Sequence, residues 1–207
     1  MKINGKWIYI KNHTIENLSK MHEWNNDEEL LEIECGSKNK ITSIETFRET
    51  MESYIENNPD CNSHYCHFGI HRKSNDELIG YADLLPIDGD LENVELSIAI
   101  PSKKLRNKIY GIDSIIAVLY CAFKIKEIKK IKFQTRVDNL IVMKICEKLG
   151  IEYTVTKFNQ NGYFIDLACF VIGNELFNKI IPKLVKNYEE YYFVEKEEHP
   201  PSVAGAS

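Results

Sequence analysis

The segment Lys103-Lys104-Leu105-Arg106-Asn107-Lys108-Ile109-Tyr110-Gly111 concentrates cationic side chains between two patterned runs. Before it, Val94-Glu95-Leu96-Ser97-Ile98-Ala99-Ile100 alternates apolar and polar residues as a half-buried strand does, and Pro101 closes that strand by removing a ladder donor. After it, Ile112, Ile115, Ile116, Leu119, Tyr120 and Phe123 fall on one helical face. A strand, a basic turn and a helix in that order aim free backbone N–H groups and the positive end of a helix dipole at one point. The chemistry of such a point is anion binding, and a phosphate suits it.

Two other groupings carry chemical residue types. Asp27, Glu28, Glu29, Glu32 and Glu34 make an acidic stretch, which reads either as a solvated helix face or as an attractor for a cationic partner. Cys61-x-x-His64-x-Cys66-His67, with His71 beyond, holds the ligand types that zinc prefers. However, Tyr65–Ile70 reads as a strand, which sends Cys66 and His67 to opposite faces, and no second cluster completes a tetrahedral set. The reading is a polar loop feeding a strand, with no metal.

The elements that must position these groups follow from periodicity and punctuation. Lys6–Lys11 is a first strand, and Thr14 caps a helix that ends near Trp24-Asn25-Asn26. Asp27–Cys35 is a short acidic helical turn. Ser43 caps a helix over Thr46–Asn57 that stops at Asn57-Asn58-Pro59-Asp60. Tyr65–Arg72 and Leu78–Leu85 form a hairpin across Lys73-Ser74-Asn75-Asp76, and Pro86–Asp90 turns into the Val94 strand. Lys130–Val137 is the next strand. Asp138 or Asn139 then caps a helix over Leu140–Leu149, with Gly150 as its stop. Glu152–Phe158 and Tyr163–Val171 pair across Asn159-Gln160-Asn161-Gly162. Glu175–Tyr192 is a last amphipathic helix that Pro182 kinks.

Matches in a fixed order resemble the GNAT superfamily of N-acetyltransferases, most closely its branch of ribosomal-protein N-terminal and spermidine acetyltransferases. Trp24-Asn25-Asn26-Asp27 resembles that branch's pattern after the first helix, and Glu77-Leu78-Ile79-Gly80-Tyr81 its E-x-I-G strand. Arg106-Asn107-Lys108-Ile109-Tyr110-Gly111 resembles the R-x-x-G-x-G/A pyrophosphate loop, with Ile109 where the family has its first glycine. Asn139 followed by Glu147-Lys148-Leu149-Gly150-Ile151 resembles the N…E-K-L-G-F ending, and Asn161–Asp166 the closing G-x-Y-x-D strand. The likeness spans Trp7 to Phe170.

The resemblance implies an α+β (mixed α/β) fold: a single GNAT-like domain over residues 1–172 around a mostly antiparallel, twisted sheet of about seven strands flanked by helices. A C-terminal helix over 173–194 is expected to pack on or near it, with 195–207 as a disordered tail. It implies acetyl transfer from acetyl-CoA to a primary amine (a peptide N-terminus, a polyamine or a small-molecule amine) in a ternary complex. A non-catalytic acyl-CoA-binding module and an amino-sugar or antibiotic acetyltransferase are the alternatives on the same scaffold. By residue-wise carry-over, Ile98 and Ile100 offer backbone contacts to the pantetheine, Lys104, Leu105, Arg106, Asn107, Lys108, Ile109, Tyr110 and Gly111 cradle the pyrophosphate, and Asn139 reaches the pantetheine arm. Glu95 stands where this branch often carries an acidic residue, and an apolar neighbourhood would make it a better base near neutral pH. Cys146 stands where several relatives place a tyrosine that reprotonates the departing thiolate. Trp24, Asp27, Glu28 and Glu34 belong to the helices that wall the acceptor pocket in this branch.

Composition agrees with that picture. At 43% hydrophobic and 28% charged residues over 207 positions, the chain can build a sizeable core. A net charge of −5 argues against general nucleic-acid binding and admits a cationic substrate. The cysteines have no framework spacing, so reduced thiols and a cytoplasmic location are expected. No membrane association is expected, and the assembly is a monomer or a homodimer.

Overall fold

The protein's structure, a computed structural model, describes residues 1–33, 43–57, 65–106, 109–160 and 162–195. In chain order the elements are β1 (Lys2–Asn4), β2 (Ile8–Asn12), α1 (Leu18–Asn25), α2 (Glu28–Ile33), α3 (Ile44–Asn57), β3 (Cys66–Arg72), β4 (Leu78–Ile87) and β5 (Asp90–Ala99). There follow α4 (Lys103–Arg106), α5 (Ile109–Tyr120), β6 (Lys130–Arg136), α6 (Leu140–Leu149), β7 (Tyr153–Gln160), β8 (Tyr163–Gly173), α7 (Asn174–Leu184) and β9 (Phe193–Glu195). One mixed sheet in the order β7-β8-β6-β5-β4-β3-β2-β1-β9 runs through the molecule, and among the described residues its only parallel pair is β5–β6.

Alternation decides which face of the sheet is buried. Phe68, Ile70, Leu84, Val94, Leu96, Ile131 and Phe170 point to one side, where they meet Ile116 and Leu119 of α5, Leu149 of α6, and Phe177 and Ile181 of α7 in the main core. A smaller apolar cluster sits on the opposite face, where Trp24 of α1 and Leu30 of α2 cover Ala99 at the end of β5. The two helical layers therefore close on the central strand from both sides.

Several local choices are visible. The Ser43 hydroxyl accepts the Thr46 N–H at 3.2 Å and starts α3. Asn139 caps α6, and Gly150 ends it with φ of 70°. Gly80 lets β4 and β5 approach, because a side-chain carbon there would lie 2.2 Å from the Ala99 carbonyl oxygen. A bulge between Ile70 and His71 sits beside it and shifts the β3–β4 register.

Nine strands replace the expected seven or so. The additional β1 and β9 are three residues each, too short to show a period in sequence. Pro86, expected in a turn, lies in β4 opposite Val94, and Asp88 and Gly89 make the turn with positive φ. The last helix stops at Leu184 rather than Tyr192. Pro182 lacks an N–H and its ring crowds the preceding turn, and Asn187 then reverses the chain at φ 53°. Glu195, assigned to the tail, ends β9 opposite Lys2 and pairs with its Nζ at 2.7 Å. Asn161 and residues 196–207 lie outside the described residues. No helix among the described residues is long and apolar enough to cross a membrane.

Candidate active site

The β5–β6 ladder is short. Asn93, Val94 and Glu95 pair with Lys130, Ile131 and Lys132, and the pairing ends there although both strands continue. Leu96–Ala99 on one side and Phe133–Arg136 on the other therefore form a fork in the middle of the sheet. Leu96–Ala99 is held by β4 along its other edge, so alternate residues of it turn N–H and C=O groups into the fork. An extended amide-bearing chain is the natural complement of such an edge.

The basic segment lies at the open end. The basic turn is itself helical over Lys103–Arg106. Ile109, Tyr110 and Gly111, expected in the loop, form the first turn of α5, with their N–H groups at its amino end. Ile109 is half exposed, and a side-chain carbon on Gly111 would meet no atom within 4 Å, so this helix end faces open space. Asn107 and Lys108 lie outside the described residues. Lys104 is exposed and Leu105 packs against the main core.

Arg106 is already engaged. Its Nε donates to the Ile100 carbonyl at 3.1 Å and its Nη2 to the Pro101 carbonyl at 2.7 Å. Its Nη1 lies 3.4 Å from Glu29, which also holds Lys103 at 2.8 Å. The Lys103 and Arg106 cations keep the Glu29 carboxyl below the usual carboxylate range. The acidic helix α2 is thus tied to the basic turn through a carboxylate that sequence reasoning left among the general acidic residues. The signal that could have found it is charge complementarity between the two segments.

Across the fork, Asn139 accepts the Val142 N–H at 3.5 Å and donates its amide to the Thr135 hydroxyl at 2.9 Å. Ile98 is half-buried against the core, and Ile100 is buried. Glu95 is exposed on the face opposite Val94 and Leu96, in register with Leu85 and Lys132. The apolar surroundings expected for it are therefore not there. Cys146 is 4% exposed within the main core, and burial pushes its thiol up to about 11. That packing assigns Cys146 to the core and corrects the expectation that it serves the departing thiolate. Trp24 is buried against Ala99, 6.1 Å from the Tyr81 ring, so it both fills the small cluster and walls the end of β5. Asp27 caps α2 through the Leu30 N–H at 3.0 Å, and Glu28 is exposed beside it. Glu34 lies outside the described residues.

Two side chains with no assigned role prove structural or chemical. Asp113 is 4% exposed in α5 and accepts the N–H groups of Lys6, Trp7 and Ile8 and the Tyr192 hydroxyl. A carboxylate inside an otherwise apolar helix run was its signal. His67 and Asp83 lie in register on β3 and β4, on the face away from the core. The bulge at Ile70/His71 makes that pairing, and nothing in the sequence announces it. A shallow depression of about 390 Å³ runs beside the β5–β6 ladder from Asp90 and Lys130 to Lys132, where the fork begins, and another of about 400 Å³ lies beside Lys2 and Phe193 at the far edge of the sheet.

A family model described as an acetyltransferase (GNAT) domain matches residues 8–152. A search among curated protein sequences returns no match. Solved structures share the fold at low identity. A GNAT-family acetyltransferase from Bacillus anthracis is 17% identical with a TM-score of 0.64, over 84% of this chain and 99% of its own. A spermidine N-acetyltransferase from Vibrio cholerae, in complex with CoA and spermine, is 19% identical with a TM-score of 0.67, over 83% of this chain and 98% of its own. FdhC, described as a nucleotide-linked sugar GNAT, is 14% identical with a TM-score of 0.64, over 89% and 95%.

Proposed function

The chain belongs to the GNAT acetyltransferase family, and from that premise we propose that it moves an acetyl group from acetyl-CoA to a cationic primary amine by direct transfer in a ternary complex. The observation that carries this reading is the fork. The β5–β6 ladder stops at Glu95, with a half-paired strand beyond it and the amino end of α5 at its open end. A pantetheine arm laid along Leu96–Ala99 completes the missing pairing, with Ile98 and Ile100 as backbone partners. The pyrophosphate then falls at the amino end of α5, among Lys104, Leu105, Arg106, Asn107, Lys108, Ile109, Tyr110 and Gly111. In this reading Asn139 lines the far wall of the cleft, its amide held by the Thr135 hydroxyl and its oxygen by the Val142 N–H.

Acyl transfer to an amine needs orientation, stabilisation of the carbonyl oxygen as charge develops, and removal of a proton. Backbone N–H groups along the fork serve the oxygen. Glu95, Asp27 and Glu28 are exposed carboxylates on the acceptor side, and they draw an ammonium toward the thioester. Trp24 and Tyr81 form the aromatic end of that side. The acceptor class this favours is a small cationic amine or a basic peptide terminus.

Incubation with acetyl-CoA and a panel of polyamines, amino sugars and basic peptides, followed by mass spectrometry, tests the reading. An acetylated amine that appears only with protein and acetyl-CoA supports it. Stabilisation by CoA with no product from any amine assigns the chain to acyl-CoA binding instead.

A further inference from the structure

The sheet ends in two edge strands, β7 and β9, and they differ in kind. β9 is three residues long, and its Glu195 is tied to Lys2 and Asn4. β7 is eight residues long, and its ladder with β8 keeps an unbroken register from Tyr153↔Phe170 to Gln160↔Tyr163. Along its other side no strand among the described residues pairs with it, so alternate residues turn N–H and C=O groups outward. Proteins blunt such an edge with proline, a bulge, a charge or a covering element. Tyr153–Gln160 has no proline and its ladder no bulge, and its single charge, Lys157, stands opposite Asp166 of β8 within the hairpin.

Both faces of this edge are apolar and open. Every residue from Glu152 to Asn159 is exposed. On the face that carries Phe170, Tyr153 and Val155 are half exposed, and Phe164 beyond them keeps 68% of its surface. On the other face lie Phe158, exposed, and Tyr163, which keeps 79%. Apolar residues scattered singly over a surface are ordinary, but these five share one hairpin. At about 200 Å² for a whole aromatic side chain, the four rings alone leave roughly 450 Å² open to water. With Val155 and the backbone edge, that approaches the ~800 Å² each partner buries in a standard interface.

The natural cover for a row of alternating N–H and C=O groups is another strand. Among the described edges of this chain, β9 is too short to match eight residues, and only a second β7 matches in length. Two β7 strands paired antiparallel about a two-fold axis normal to the sheet close the contact on itself, whereas β7 against β9 would run on as an open filament. Under that symmetry opposite residues share a face. Tyr153 and Val155 of each copy then meet on one side, and Thr154, Thr156 and Phe158 on the other. Lys157 is the strand's sole charge, so the register that sets it against its own copy is the disfavoured one. We propose that the protein is a homodimer joined through β7, with one continuous sheet of eighteen strands, nine from each copy. In each copy β7, β8 and β6 separate the axis from the fork, so the two forks face outward and remain open. The pairing does not depend on what the fork binds.

Sedimentation velocity of the full chain without ligand, from about 1 to 100 µM, tests this together with amide hydrogen exchange. The wild type is expected to sediment at twice the chain mass over most of that range, and exchange in Tyr153–Asn159 to slow as concentration rises. Val155→Lys, which sets like charges near the axis, is expected to raise the dimer dissociation constant about 100-fold or more and to restore fast exchange in β7, with an unchanged circular dichroism spectrum. Thr154→Lys is the second variant should the first fail to fold. Leu91→Ser removes an exposed apolar side chain on β5, three strands away, and is expected to leave the dimer intact. A wild type that is monomeric even at about 100 µM overturns the proposal. A dimer that both lysine variants leave intact, or one whose β7 amides gain no protection, overturns it too, because the contact then lies elsewhere. Each of these readings is made without acetyl-CoA, so a failure of the acetyltransferase reading leaves them standing.

Discussion

Replacing Asp113 by Asn is expected to lower the unfolding free energy by roughly 3 to 5 kcal/mol, the loss typical of breaking a buried, multiply hydrogen-bonded charge. The carboxylate takes the N–H groups of Lys6 at 2.9 Å and Ile8 at 3.0 Å, together with that of Trp7 and the Tyr192 hydroxyl. A carboxamide of the same size presents one oxygen where two were used, and its NH2 faces donors. Burial and the Asp113 carboxylate push the Tyr192 phenol far above its ordinary value, so that side chain remains a donor at all working pH. Tyr192→Phe is expected to cost about 1 kcal/mol, and the double variant less than the sum, because the two share one bond. Urea denaturation of the four proteins measures this. A loss under 1 kcal/mol in Asp113→Asn contradicts the role. The consequence reaches the site, since Asp113 lies one helical turn after Ile109 and fixes the helix whose amino end closes the fork.

Arg106→Ala is expected to weaken acetyl-CoA binding 10- to 100-fold, about 1.4 to 2.8 kcal/mol. Two effects combine. The variant removes a cation from the anion site, and it releases the Ile100 and Pro101 carbonyls that the guanidinium fastens at 3.1 and 2.7 Å. Arg106→Lys separates them, because an ammonium restores charge but cannot bridge two carbonyls in a planar fork. It is expected to recover less than half of the lost free energy. Titration calorimetry reads both variants, and unchanged affinity in Arg106→Ala removes the basic turn from the cofactor site. The Glu29 contacts are exposed and add little to stability, but they hold α2 near the turn.

The sequence was most legible where local signals agree. A cap at Asp138 or Asn139, the Leu140–Leu149 period and Gly150 mark α6 in the sequence, and the structure makes Asn139 the cap, because cap, apolar stripe and left-handed stop all point one way. The strand and helix around the basic turn were legible for the same reason. What sequence could not supply is relational. The β5–β6 fork depends on where two strands stop pairing, which is decided by the layers above and below them. The His67–Asp83 pair depends on a one-residue bulge beside Gly80, and a ladder without it would place Ala82 opposite His67. Cys146 occupies a plausible catalytic position in the linear pattern, yet its helical neighbours turn it into the core. Tyr192 shows the same limit from the other side. Read as the end of a helix, it instead follows a reversal at Asn187 and buries itself against Asp113.

Hydrogen exchange of the backbone amides with and without acetyl-CoA tests the central claim, that the fork is the cofactor site, most directly. Protection is expected to rise in Leu96–Ile100 and at the amino end of α5, with little change in β1, β2 or β9. Protection confined to the β7–β8 hairpin or to the β1–β9 edge, with Leu96–Ile100 unchanged, would contradict it.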